Sequence, residues 1–224
     1  MEVYFFFIFK MDLSNAIYHS ILCIAFIVAL VVKSSDRAIL LLRVYLVLTF
    51  LIEMTALYIR YLGEYNSWVY NIWVLISVPI FIKIIFSQLK NKTSLAENIL
   101  FFTVIVFYLL NLFFFQGFHI VNTYSVQFGA IIIIILTLLH FKALLDSPEK
   151  PLIDNPHFYI SIALLMFYAG TFTYYSFFNF LIRVDMVSAQ EITIVLLLLN
   201  YLTYSLFAIA ILLQRKKQLT HVRN

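Results

Sequence analysis

The chain has 224 residues, of which 64% are apolar and 12% charged, and a formal net charge of +4. A soluble domain cannot hide that much apolar surface, and basic residues scattered over short loops and a tail do not make a nucleic-acid patch. The composition therefore excludes nucleic acid as a partner and predicts an all-α integral membrane bundle whose first partner is the lipid bilayer.

About 20 predominantly apolar residues cross a bilayer as a helix. Runs of that length predict seven spans, at Leu13–Val32, Ala38–Leu62, Val69–Leu89, Asn98–Phe115, Ile120–Leu145, Pro156–Leu181 and Ala189–Leu213. Together they form a single seven-helix transmembrane domain over 1–224. No linker exceeds about a dozen residues, which leaves no room for a soluble catalytic or output domain. Residues 1–10 read as an upstream extension with Met11 as an alternative start, because Val3–Phe9 is shorter than a signal-peptide core and follows Glu2 instead of a basic region. Residues 214–224 read as a short basic tail.

Lys and Arg in short loops are retained on the cytoplasmic side. Lys33, Arg37, Lys90, Lys92, Lys142, Lys150, Arg215, Lys216, Lys217 and Arg223 fall on one side, and Lys10, Arg60 and Arg183 on the other. The N-terminus is accordingly expected outside and the C-terminus inside, in a multi-pass protein of the cell membrane.

In the first span, Cys23 is the sole cysteine and cannot form an intrachain disulfide. The second span holds Glu53, and a charge inside a bilayer is costly enough to mark a functional site by default. Tyr45, Thr49, Glu53, Ala56 and Arg60 follow steps of three and four and share one stripe, which turns Glu53 toward the bundle. Glu53 lies roughly 22 Å from the cytoplasmic end of its helix, in the outer half, and Arg60 about two turns farther on snorkels to the outer interface.

The third span contributes Tyr70 and Ser77, with Asn71 and Trp73 beside them and Pro79 interrupting the helix. In the fourth, Tyr108, Asn111 and Phe115 form a stripe, and Tyr124 and Gln127 open the fifth. Asp154-Asn155-Pro156 starts the sixth, with Asn155 as cap and Pro156 at the first helical position. Along that helix Tyr168, Thr171, Tyr175 and Asn179 rise on one face, and Thr193, Leu197, Asn200 and Tyr204 descend the seventh. His140 and His157 flank a cytoplasmic loop and read as interfacial residues. The polar groups thus converge at outer-half depth over an aliphatic inner half. Glu53, Tyr70, Ser77, Asn111, Tyr124, Gln127, Tyr168, Thr171, Tyr175, Asn200 and Tyr204 are the candidate ligand-binding residues. Any one of these tyrosines also fits an interfacial aromatic belt, and any one amide a helix-to-helix hydrogen bond.

No Gly-x-Ser-x-Gly elbow, His-Glu-x-x-His helix or glycine-rich phosphate loop occurs, so no enzyme is expected. His19, His119 and Glu53 match no metal-ligand spacing, and no metal or cofactor is expected. With Glu53 in the second helix, Tyr70-Asn71-Ile72-Trp73 opening the third and Asn155-Pro156-His157-Phe158-Tyr159 opening the sixth, the chain resembles the small bacterial seven-helix sensory modules that precede histidine kinases. The resemblance implies a receptor-like sensor that binds a small-molecule ligand in the outer-half chamber. Since the sequence ends at Asn224, output would pass to a separate kinase or membrane partner. The alternatives are a small-solute or proton-coupled transporter, for which Pro79 and Gly170 are the helix interruptions on offer, and an accessory subunit of a membrane complex.

Overall fold

The computed structural model describes residues 2–89, 94–146, 151–184 and 186–223, except for the side chains of 2–12, 178–179, 181–191 and 219–223. Lys90, Lys92 and Lys150, and the side chains of Lys10, Asn179, Arg183 and Arg223, therefore lie outside the described residues.

Among the described residues seven helices are long and apolar enough to cross a membrane, the pattern of a multi-pass membrane protein. They are α1 (Glu2–Val31), α2 (Arg37–Tyr61), α3 (Ser67–Gln88), α4 (Ser94–Leu110), α5 (Thr123–Asp146), α6 (Pro156–Val184) and α7 (Met186–Arg223). Among the described residues there is no strand. The fourth span departs from expectation at its end, where Asn111–Phe115 forms a π-helical turn. Asn111 donates to Ser125 of α5 and to Gln116, and the Gln116 N–H reaches back to the Asn111 carbonyl. A wider turn lets one residue serve both the loop and the next helix, a use typical of π-bulges.

Each helix packs on its chain neighbour, and α1 packs on α7, so the bundle closes on itself. α3 also meets α5 and is the most enclosed helix, with 56% of its span buried against 22% for α4, which lies at the periphery. Small residues set the close approaches. A Cβ at Gly129 on α5 would run into the Tyr108 hydroxyl and Val78, and one at Gly170 on α6 would run into the Leu199 side chain.

The caps follow local chemistry. Asp36 precedes α2 and accepts from the Ile39 N–H at 3.0 Å, while its other oxygen lies 3.4 Å from the His157 ring of α6. Burial pushes the Asp36 carboxyl up, but the His157 ring and the Ile39 and Ala38 N–H groups outweigh it and hold that carboxyl below the usual carboxylate range. Asn155 accepts from the His157 N–H at 3.0 Å ahead of Pro156, as its sequence predicts. His140 is buried within the bundle, and its Nδ1 pairs with Ser161 at 2.7 Å, joining α5 to α6.

The middle of the bundle is an aromatic plug. Tyr45 of α2, Phe81 of α3, Tyr168 of α6 and Phe207 of α7 are all buried, with ring centroids 4.4 Å apart for Tyr45 and Phe81, 5.9 Å for Tyr45 and Phe207, and 5.8 Å for Phe81 and Tyr168. Edge-on and tilted rings at these separations add to the burial of their area. Toward the α1–α2 loop Ile39, Leu42, Ile85 and Ile211 are buried, but so are Thr137, His140, Ser161 and Gln214, so this half is not the purely aliphatic one that the sequence leads one to expect.

Candidate functional site

Glu53 stands about two turns along α2 from Tyr45, on the side of the plug that faces the α2–α3 turn. The predicted stripe is real, since Tyr45, Thr49 and Ala56 are buried on that face. Glu53 itself is half-buried and Arg60 is exposed. One carboxylate oxygen accepts from the Tyr18 hydroxyl of α1 at 2.8 Å, and the other accepts from the Tyr70 hydroxyl of α3 at 3.2 Å. An ionised carboxylate accepts about four hydrogen bonds, so two phenols leave acceptor capacity for a third donor.

Around this core, the Tyr204 ring of α7 lies 5.9 Å from that of Tyr18, and its hydroxyl stands beside the Tyr18 hydroxyl. The His19 ring meets Tyr18 edge-on at 4.9 Å. Its Nδ1 is paired with the Asn15 carbonyl at 2.7 Å, and its Nε2 is buried without a hydrogen-bond partner. Tyr175 of α6 lies in the neighbourhood of Tyr70. Side chains from α1 and α3 thus hold one carboxylate of α2, with Tyr204 of α7 beside them.

The other candidate residues are placed differently. Tyr168 belongs to the aromatic plug, with Ser77 next to it. Ser77 also leans on the Val74 carbonyl at 3.5 Å. Thr171 is buried, and its hydroxyl has no hydrogen-bond partner. Asn111 is occupied by Gln116 at 2.9 Å and Ser125 at 2.8 Å. Tyr124 is exposed, and Gln127 donates to Ser176 at 3.1 Å on an exposed seam between α5 and α6. Asn200 turns back to the Leu196 carbonyl of its own helix at 3.0 Å. Glu53, Tyr70 and Tyr204 come together with Tyr175 nearby, whereas Asn111, Tyr124 and Gln127 serve the α4–α5 and α5–α6 connections.

Tyr18 is absent from the candidates drawn from the sequence, although a signal for it exists. Tyr18, Leu22, Ala25 and Ala29 recur at steps of three and four, and all are buried. A stripe that narrows from tyrosine to alanine marks the packed face of α1, and its one polar head points at the same layer as Glu53. Among the described residues no three His, Cys, Asp or Glu side chains converge. Comparison of the chain with protein-family models, with curated proteins and with solved structures finds no match.

Proposed function

We propose that the chain is a receptor-like membrane sensor, oriented with its N-terminus outside and its C-terminus in the cytoplasm of a bacterial cell, that detects a small ligand at Glu53 and signals through a separate partner. The observation that carries this reading is the pair of hydrogen bonds from Tyr18 and Tyr70 to the two oxygens of Glu53. A ligand bearing a hydrogen-bond donor or a positive charge competes with these phenols for the carboxylate. Displacing either one loosens α1 or α3 from α2, so binding and helix packing are linked through a single group. A ligand shifts such an equilibrium only through its different affinity for the two packings.

The aromatic plug supports sensing over transport. It lies between Glu53 and the end of the bundle that carries the α1–α2 loop, where a transporter needs a path that opens to each side in turn. Gly170 supports the same reading, because the Leu199 side chain packs against it as at a close helix contact.

The test is a thermal-shift screen of purified wild-type protein and Glu53→Gln against small amines, amides and acids, followed by uptake of any hit into liposomes containing the wild-type protein. The sensor reading expects a compound that stabilises the wild type, loses its effect in Glu53→Gln and does not accumulate in the liposomes. Uptake or counterflow of that compound overturns it in favour of transport, and equal stabilisation of both proteins removes Glu53 from the site.

A further inference from the structure

A second place in the fold combines an unneutralised charge with an apolar surface. Arg43 of α2 is half-buried in a groove of about 220 Å³ between α1 and α2, whose walls are Leu30, Leu40, Val44, Val47 and Leu48, with Ala29 at its floor. Arg43 lies about 9 Å along α2 from its first residue, at the end of the bundle that carries the α1–α2 loop. Its Nε donates to the Ala29 carbonyl at 2.6 Å, which satisfies one of the carbonyls left open in the last turn of α1. That contact uses one of the five N–H groups of the guanidinium. Among the described residues no carboxylate pairs with Arg43, since Asp36 is engaged by Ile39 and His157 and Glu53 by the two tyrosines.

A cation beside apolar walls in a bilayer is stable when an anion of matching shape reaches it, and a phosphate matches the planar fork. Two more cations belong to the loop and helix start at this end of the groove. Lys33 and Arg37 are exposed: Lys33 lies in the α1–α2 loop, two residues past the end of α1, and Arg37 opens α2 one helical turn before Leu40. Leu30, Leu40 and Val44 are themselves exposed, so the groove opens sideways along the helix surface. A free phosphate would leave these walls in contact with nothing of its own kind, whereas an acyl chain covers them.

We propose that the groove between α1 and α2 is a binding site for an anionic phospholipid, with its phosphate on Arg43, its headgroup toward Lys33 and Arg37, and one acyl chain along Leu40, Val44 and Leu48.

The experiment is native mass spectrometry of the full chain offered an equimolar mixture of dioleoylphosphatidylglycerol and dioleoylphosphatidylcholine. The wild type is expected to retain the anionic lipid preferentially, and Arg43→Gln to lower that preference by about five- to tenfold. Joint replacement of Lys33 and Arg37 by glutamine is expected to lower it by a smaller factor. Val44→Trp fills the groove without touching a charge and is expected to reduce retention of the anionic lipid at an unchanged unfolding temperature in detergent. Should Arg43→Gln fail to accumulate, Val44→Trp decides the matter. Unchanged preference in Arg43→Gln, or unchanged retention of the anionic lipid in Val44→Trp, overturns the proposal. So does displacement of the lipid by inorganic phosphate, or a dimer in the wild type that Val44→Trp dissociates without change in bound lipid.

Discussion

Asn71 of α3 holds Asn122 by its backbone across 51 positions of sequence: the Asn71 side-chain oxygen accepts from the Asn122 N–H at 2.9 Å, while its amide nitrogen donates to the Ile120 carbonyl at 2.8 Å and the Phe118 carbonyl at 3.3 Å. One buried amide thereby sets the path of the connection between α4 and α5. Asn71→Ala is expected to leave these loop groups unpaired and to cost about 2–3 kcal/mol. Denaturant unfolding checks the loss of stability, and faster proteolysis within 116–122 checks its location. Asn71→Asp keeps the acceptor but turns a carboxylate oxygen toward the Ile120 and Phe118 carbonyls, so it should lose at least as much as Asn71→Ala.

At Glu53 the two phenols are separable. Tyr18→Phe removes the shorter bond and Tyr70→Phe the longer, and each should destabilise by about 1–2 kcal/mol, with the larger loss at Tyr18. Glu53→Leu strands both hydroxyls and should cost more than Glu53→Gln, which still accepts from one of them. A double-mutant cycle between Tyr18→Phe and Glu53→Gln is the check, and additive losses would show that the two groups do not interact.

The cap of α2 carries a pH dependence. Because Asp36 titrates below its ordinary value in the folded chain, its contribution is complete above the unfolded carboxyl value of about 3.9 and is lost as pH falls through the lower folded value. Stability measured from pH 5 down to pH 3 should decline less steeply in Asp36→Asn than in the wild type. Asparagine caps nearly as well as aspartate, so the variant isolates the charge. His157→Ala should make the decline smaller, because without the ring the folded carboxyl value moves up toward the unfolded one.

Gly129 and Gly170 should respond differently to alanine. At Gly129 the added methyl meets the Tyr108 hydroxyl, carried on a stiff ring, and also Val78. The expected cost is about 1–3 kcal/mol. At Gly170 it meets only the end of the half-buried Leu199 side chain, which can change rotamer. Gly170→Ala should therefore be much milder, and comparing the unfolding temperatures of the two variants in one detergent tests the contrast.

Orientation has its own test. With the free Cys23 replaced, a cysteine at Asn66 should react with a membrane-impermeant thiol reagent added outside, and one at Ser35 only after permeabilisation. The reverse pattern would invert the proposed topology and move Glu53 to the cytoplasmic half.

The helices are legible in the sequence because apolar length alone defines a span, and most expected boundaries fall within a few residues of the observed ones: Ala38–Leu62 against Arg37–Tyr61, Val69–Leu89 against Ser67–Gln88, Ile120–Leu145 against Thr123–Asp146. The inward turn of Glu53 is legible for the same kind of reason, since steps of three and four put it on the face of Tyr45 and Ala56. Partners are not. Helical spacing tells which way Asn111 and Asn200 point but not what stands opposite, and Asn111 meets Ser125 while Asn200 bonds within its own helix. Tyr18 escapes a reading of the sequence because a lone tyrosine near the end of a span is ordinary interfacial chemistry until its neighbour across the helix gap is known. The π-helical turn depends on the Asn111 contacts with Gln116 and Ser125, so the apolar run through Phe115 reads as one uninterrupted helix.

The contact between α1 and α7 has a consequence for biogenesis. The Tyr201 hydroxyl of α7 donates to the Ser14 carbonyl of α1, and Tyr204 covers Tyr18. Five helices are made between these two, so the buried stripe of α1 stays against lipid, or against an insertion factor, until α7 emerges. Chains arrested before α7 would hold Glu53 and Tyr18 in an open bundle, as substrates for membrane quality control.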